Sequence, residues 1–511
     1  MKKSIVFVKP ALETDAVFDP IRTASYLGIW YLASLLILRG YRVRYLDEAV
    51  RNNGLSKRTL FKRTIIGGVV SDEPMSLSYD EFEKQKLADF NLLSPKEFIS
   101  RYSAFRQHGK IERIIVRTGN SIRETLSEIE ISKPDYVGIP LIASSNYPQA
   151  TELGRAIKKS FPRVKIMYGG QHLSTDYEDF VTENPWVDHV VIGDAMEVIE
   201  DILEGRKTEQ IIYGGSNSMK NFPLLDPKII QENDYPNEPT YAYTSSGRKT
   251  ADFMFSKGCF RNCEFCVAGS QNKRITELDE IMIDRQLALF RSHGIQELII
   301  QDDAFIHSGI DHMNKILSSM KKYGLYWQNN GGLDFQLLTK EITDLFIAYN
   351  KEGEGRITAL YIPFNPREWN KHDSAAKTMI AKYHDNCENL KRLREEGGIY
   401  IFTSEIIGTP DQTIETMEND IEFHKELIRH NYLDAALTLS ATLLPGTIWN
   451  KNNPDMIINK KDYAGYSLFT THHRTKNIAD PKIIEEYMVK RTKELNVIQK
   501  TFRWGTAFPN C

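Results

Sequence analysis

The chain of 511 residues has only five cysteines, too few for a disulfide framework. Neither charge is in excess: 65 Lys and Arg stand against 68 Asp and Glu, a formal net charge of −3. Such a balance does not neutralise a phosphate backbone, which excludes bulk electrostatic binding of nucleic acid. Long apolar runs are missing too. The longest, near Tyr26–Leu38, contains Ser34, is flanked by Arg22 and Arg39 and is under 18 residues, so no membrane span is expected. The opening MKKSIVFVKP suits a buried strand better than a signal peptide. No repeat of solenoid period is present, and no histidine occurs before His108. What remains is an ordinary globular composition, 41% hydrophobic and 26% charged. It rules out wholesale disorder and leaves room for two or three domains.

The pattern predicts an α/β protein. Residues 4–8 and 41–46 read as strands around a helix at 25–39, ended by Gly40. Residues 51–118 break the rhythm and read as an insertion of loops and helices. Strands at 135–142, 164–168 and 187–192, alternating with helices, complete a five-stranded Rossmann-like domain over 1–205. A linker is expected over 206–247, from its Pro, Gly, Asn and Ser punctuation. A second βα series over 248–450 has six strands, at 251–256, 296–301, 325–328, 357–362, 399–407 and 435–441. It predicts a partial TIM-type (β/α)6 barrel with its site at the strand C-termini. Residues 451–511 read as a small helical and aromatic C-terminal region.

Three of the five cysteines fall within eight residues, in Gly258-Cys259-Phe260-Arg261-Asn262-Cys263-Glu264-Phe265-Cys266. The spacing is C-x3-C-x2-C. Three thiolates can hold three irons of a 4Fe–4S cluster and leave the fourth open to a ligand. The alternative is a zinc knuckle, but zinc wants a fourth ligand and no His lies within twenty residues. Clustered thiols point to a reducing compartment and a cytoplasmic protein. Cys387, in a charged helical stretch, reads as structural, and Cys511 as a terminal thiol.

With Phe265 just before its third cysteine, the segment resembles the signature of the radical S-adenosylmethionine (SAM) superfamily. Downstream landmarks resemble its cobalamin-binding-domain branch. The resemblance implies that the open iron binds SAM, whose reductive cleavage yields a 5′-deoxyadenosyl radical. It makes Phe265, Asp302, Asp303, Asn365, Glu405 and Gly408 SAM-binding residues. Asp302 and Asp303 end the strand IQELIIQDD, where two acids can also be a helix cap. Glu405 would accept a hydrogen bond from SAM. Gly408, in SEIIGTPDQT, would let backbone approach the adenine. LLPGT at 443–447 matches the turn after the sixth strand. Asn365 stands where the branch usually has an acid, and brings an amide without charge.

The first domain resembles the branch's cobalamin-binding fold. Ser144 and Ser145, Gly169 and Gly170, and Gly193 follow its last three strands, where backbone can approach a ligand. The resemblance implies that the nucleotide tail of cobalamin threads there. His172 is either a tail contact or a satisfied turn histidine. The Asp-x-His-x-x-Gly motif that gives cobalt a histidine is absent, so cobalt is expected without one. A domain that binds no corrinoid is the alternative.

Most of the resembling group are methyltransferases. The expectation is therefore methylation of an unactivated carbon through methylcobalamin and the 5′-deoxyadenosyl radical, on a small-molecule or natural-product substrate. An external flavodoxin- or ferredoxin-like protein would supply electrons. Alternatives are a cobalamin-dependent cyclase or rearrangement enzyme, and a non-catalytic cobalamin or iron–sulfur binding protein. The insertion, the aromatic tail (Phe502, Trp504, Phe508) and Tyr463, Tyr466, His472 and His473 are candidates for the substrate pocket.

Overall fold

The computed structural model describes residues 2–499 apart from 22, 107–108, 216–217, 238–241, 243, 245, 269–273 and 364–379. Asn365, Cys511 and the aromatic tail lie outside the described residues. In chain order the first half runs β1 (Ser4–Lys9), β2 (Leu12–Asp15), α1 (Leu27–Leu38), β3 (Arg42–Asp47), β4 (Arg58–Ile66), β5 (Val69–Pro74), α2 (Tyr79–Leu92), α3 (Pro95–Tyr102), β6 (Ile111–Thr118), α4 (Ile122–Ser132), β7 (Tyr136–Pro140), α5 (Tyr147–Ser160), β8 (Lys165–Gly169), α6 (Leu173–Glu183), β9 (His189–Ile192), α7 (Ile199–Leu203) and β10 (Ile211–Tyr213). The second half runs α8 (Pro227–Gln231), β11 (Thr250–Phe253), β12 (Ser256–Lys257), β13 (Thr276–Glu277), α9 (Glu280–Ser292), β14 (Glu297–Ile300), α10 (Ile310–Lys322), β15 (Tyr326–Asn329), α11 (Lys340–Lys351), β16 (Ile357–Tyr361), α12 (His384–Glu395), β17 (Tyr400–Ile407), α13 (Ile414–Arg429), β18 (Ala435–Ser440), α14 (Ile448–Asn452) and α15 (Pro481–Asn496).

The first sheet is parallel throughout, in the order β10-β9-β8-β7-β1-β3. All residues of β1 and β7 are buried, as strands covered by helices on both faces require. From β1 the chain winds through α1 to β3 on one side, then returns to β7 on the other. The crevice between β1 and β7 is therefore the switch point at which an open α/β sheet takes a ligand. The sheet runs past residue 205. β10 pairs with β9 inside the stretch expected as a linker, and Pro and Gly punctuation on both sides masks so short a strand.

The second sheet takes its six parallel strands in sequence order, β11-β14-β15-β16-β17-β18, each pair joined by crossover chain. This is the expected open barrel. Ile299, Ala359, Phe402, Leu437 and Leu439 turn inward together with Ala24 and Ala242. Leu298, Ile300, Leu360 and Ile401 turn outward into the helical layer. The open edge of β18 is capped by later chain: Ser440 N–H donates to the Leu468 carbonyl (2.6 Å) and Ala436 N–H to Gln499 Oε1 (3.0 Å). Covering an edge strand removes a template for mispairing.

Residues 51–118 are not only loops and helices. β4, β5 and β6 join β2 in an antiparallel sheet of order β2-β6-β4-β5. Its alternation is hidden because buried positions carry charge. Arg63 is held by Glu13 (3.0 Å) and Asp72 (2.7 Å). Arg113 is fully buried between Asp15 (2.9 Å) and Asp462 (2.6 Å). Such pairs allow cations where a hydrophobic pattern calls for leucine. The Arg113 pair also ties the inserted sheet to the C-terminal segment.

Candidate functional site

The cysteine loop leaves β11 and is pinned at its root. Ser256 and Lys257 of β12 pair with Glu277 and Thr276 of β13, closing the loop as a ladder. Asp302, 1% exposed, accepts hydrogen bonds from Phe255 N (2.9 Å), Ser256 N (2.7 Å) and Ser256 Oγ (2.6 Å). These contacts commit its carboxyl group to the loop root, so Asp302 positions the cysteines rather than facing a ligand. Its neighbour Asp303 is exposed at the mouth and accepts from Gly258 N (2.9 Å).

Cys259, Cys263 and Cys266 are all half-buried and free of disulfides. Burial pushes the Cys259 thiol up, and the nearby Cys266 and Asp303 add to the shift, so a thiolate there needs a cation to compensate. Among the described residues no three His, Cys, Asp or Glu side chains converge on a single ion. A cluster that takes one thiolate per iron does not require such convergence. The donor set, three soft sulfurs on one short loop, fits a 4Fe–4S cluster.

Two walls enclose the loop. On one side Phe265 packs on Trp449 (5.5 Å between centroids), whose indole N–H donates to Glu264 (3.2 Å). Phe265, expected at SAM, thus packs on the chain after β18. On the other side Phe260 stacks on His307 (4.1 Å), and Arg261 pairs with Asp334 (2.6 Å). His307 Nε2 also meets Asp334 (3.1 Å), with its Nδ1 3.9 Å from Cys259 Sγ. The sequence shows no histidine near the motif; the fold brings one from 48 residues away.

Two further expected SAM contacts are placed elsewhere. Phe402, Ser404 and Ile406 pair with the inward residues Ala435, Leu437 and Leu439. Strand alternation therefore turns Glu405 outward. There it is buried against Arg491 of α15, with His424 of α13 3.9 Å away. Ser404 is the residue that faces the lumen, bonded to the Tyr361 hydroxyl (2.5 Å). Gly408 keeps its left-handed turn (φ +76°), but a Cβ would meet Ile484 at 3.0 Å. Its carbonyl accepts from His473 Nε2 (2.6 Å) and its N–H donates to Gln412. Its backbone thus approaches α15, not an open ligand space.

The first sheet holds a cavity of about 270 Å³ at the β1–β7 switch point, lined by Phe7, Tyr31, Gly138, Gly169, Gly170 and Gly193 among others. Its wall is thin where glycine stands. A Cβ on Gly28 would meet nothing within 4 Å, and on Gly193 nothing nearer than 3.9 Å. Gly170 (φ +124°) brings its backbone so close to the Leu141 carbonyl that a Cβ would sit 2.5 Å from that oxygen. A smooth apolar slot of this kind fits a flat aromatic base. The expected cobalamin residues divide. Gly169, Gly170 and Gly193 line the cavity; Ser144, Ser145 and His172 do not. Ser144 Oγ meets His172 Nδ1 (3.1 Å), joining the chain after β7 to the chain after β8. Burial pushes His172 down to about 4, so the ring is neutral at pH 7.

Three contacts make the strand ends of the two sheets face each other. Ser25, after β1, donates to Asp252 of β11 (2.8 Å). Lys257 pairs with Asp194 (3.1 Å). Gly446, after β18, abuts Thr175 of α6. Met254 and Lys257 also form part of the cavity wall, so the strand leading to Cys259 closes the cavity of the first sheet. Tyr463, Tyr466, His472 and His473 do not line this cavity. Tyr463 stacks on Tyr147 (4.6 Å), and both histidines are fully buried.

The profile of the B12 binding domain matches residues 103–203. It covers β6 to α7, while β1 and β3 of the same sheet lie before it. The match falls on the domain whose sequence resembles a cobalamin-binding fold, and the overall fold is shared with solved structures of cobalamin-dependent radical SAM enzymes, in line with the resemblance drawn from the sequence. An uncharacterized methyltransferase of Pyrococcus horikoshii, PH0819, is 26% identical over 377 residues, 68% of this chain and 78% of that protein. The anaerobic magnesium-protoporphyrin IX monomethyl ester cyclase of Cereibacter sphaeroides is 23% identical over 325 residues, 58% of this chain and half of its own length. Among solved structures, the radical SAM methyltransferase TsrM of Kitasatospora setae, with cobalamin and a 4Fe–4S cluster bound, aligns over 95% of this chain and 84% of its own (TM-score 0.52, 14% identity). The cobalamin-dependent SAM radical enzyme OxsB aligns over 97% and 62% (TM-score 0.54, 12% identity). No helix among the described residues is long and apolar enough to cross a membrane.

Proposed function

We propose that the chain is a cobalamin-dependent radical SAM methyltransferase acting on an unactivated carbon of a small molecule or natural product. The supporting observation is the shared wall: Met254 and Lys257 line the cavity of the first sheet, and two residues later the chain reaches Cys259. When bound, the cofactors supply a carbon radical at the SAM 5′ position and a methyl group on cobalt. The protein's part is to hold both against one substrate and keep water out.

In this reading Cys259, Cys263 and Cys266 hold the cluster. Asp303 at the mouth and the lumen pair Tyr361 and Ser404 contact SAM, and the slot at Gly169, Gly170 and Gly193 holds the nucleotide tail of cobalamin. Asp302, the β12–β13 ladder and the Phe265–Trp449 contact fix the loop. The first sheet is then the corrinoid domain and the second the radical barrel, in a cytoplasmic enzyme reduced by a flavodoxin- or ferredoxin-like donor.

Anaerobic incubation with SAM, reductant and candidate substrates tests the proposal. Release of 5′-deoxyadenosine with a product heavier by CH2 supports it. The relatives named as cyclases favour a second reading, oxidative cyclisation; a product lighter by hydrogens or heavier by oxygen, without CH2, would establish it. No 5′-deoxyadenosine under any condition would leave a binding protein without turnover.

A further inference from the structure

Of the described residues lining the cavity, only Lys257 and Asp194 are charged. They stand at its rim, on opposite sides of the junction between the sheets, 3.1 Å apart. Their side chains are 22% and 9% exposed. Asp194 follows β9 and caps the turn after it, its Oδ1 accepting from Met196 N (3.0 Å). Lys257 lies in β12, paired with Thr276, so its backbone cannot move without the cysteine loop. Its ammonium also lies 5.8 Å from the Phe222 ring centre, over the cavity's apolar side. An apolar slot with one cation at its rim suits a ligand with a flat neutral base and a single anionic linker. An ammonium has three donors and can keep its carboxylate partner while donating to a phosphate oxygen.

We propose that Lys257 is the anion-binding and positioning residue for the corrinoid: it takes the phosphodiester that joins the corrin to its nucleotide base, and so couples filling of the cavity to the cysteine loop. This rests on the cobalamin reading above. Without Lys257, the incoming phosphate would meet Asp194 unscreened, and repulsion would oppose entry. Asp194 in turn holds the ammonium at the rim before any ligand arrives.

The test compares two corrinoids on the reconstituted full chain by spectrophotometric titration. Hydroxocobalamin carries the phosphodiester and base; cobinamide carries neither. Lys257→Met keeps the apolar stem and removes the charge. It is expected to weaken hydroxocobalamin binding about ten-fold while cobinamide binding stays within two-fold. Lys257→Arg should restore most of the loss. Iron content of the Met variant should match that of the unaltered chain, which shows that the loop still folds. Equal losses for both corrinoids, or no loss for either, would overturn the role of Lys257. Failure of the unaltered chain to bind either corrinoid would instead overturn the cobalamin reading on which it rests.

Discussion

Replacing Gly446 by Ala probes the contact between the barrel and the first domain. Gly446 lies in the turn after β18 at φ +84°, and an added Cβ would sit 2.4 Å from Thr175 Cγ2 and 2.6 Å from Thr175 Cβ. Two costs follow. A left-handed backbone costs an L-residue about 1–2 kcal/mol, and forcing a methyl into a filled contact costs about 1–3 kcal/mol. Gly446→Ala should therefore destabilise the chain by about 2–5 kcal/mol. Thr175→Gly empties the space and loses the bond from Thr175 Oγ1 to the His172 carbonyl (2.8 Å), for about 1–2 kcal/mol. In that background Gly446→Ala should cost only its backbone strain, about 1–2 kcal/mol. Urea unfolding of the four chains measures the cycle. A coupling of about 1–3 kcal/mol is expected. If the two costs simply add, Gly446 and Thr175 do not touch and the proposed facing of the two sheets loses this support.

Three other outcomes are expected. Replacing any one of Cys259, Cys263 or Cys266 with Ala should abolish the reconstituted cluster, about four irons per chain, and all SAM cleavage; Cys387→Ala, at a buried position in α12, should keep both. His472→Phe should stabilise the chain by about 1–2 kcal/mol, because both ring nitrogens are buried without partners while the ring packs on Tyr466. Burial holds His472 well below its ordinary value, so the unfolded chain takes up the proton first and stability is lost as pH falls below about 6.5; the gap between variant and parent, read as urea midpoints at pH 7.5 and 5.5, should widen at the lower pH. The cob(II)alamin form should show no nitrogen superhyperfine splitting from a protein imidazole, since the Asp-x-His-x-x-Gly motif that supplies one is absent; such splitting in the paramagnetic resonance spectrum would contradict this.

Much of the fold is legible from apolar period alone. The strand expected at 164–168 is found at Lys165–Gly169, and the six barrel strands fall within a few residues of their places. The inserted sheet escapes because its interior is partly ionic: Arg63 and Arg113 take core positions by pairing with acids distant in sequence. The site divides along the same line. The three cysteines and the glycine turns are local signals. Facing is not local: a resemblance names Glu405, but whether it or Ser404 points into the barrel depends on strand register. Partnership is less local still. His307 reaches Cys259, and Lys257 reaches Asp194, only through folds of 48 and 63 residues.

The most direct test of the central claim, one chain holding both cofactors, is an anaerobic ultraviolet–visible spectrum after reconstitution with iron, sulfide and hydroxocobalamin and removal of excess. About four irons and one corrinoid per chain are expected, with the corrinoid bands lost in a variant that fills the cavity, Gly193→Leu, and the iron retained. Iron without corrinoid in the unaltered chain would contradict it.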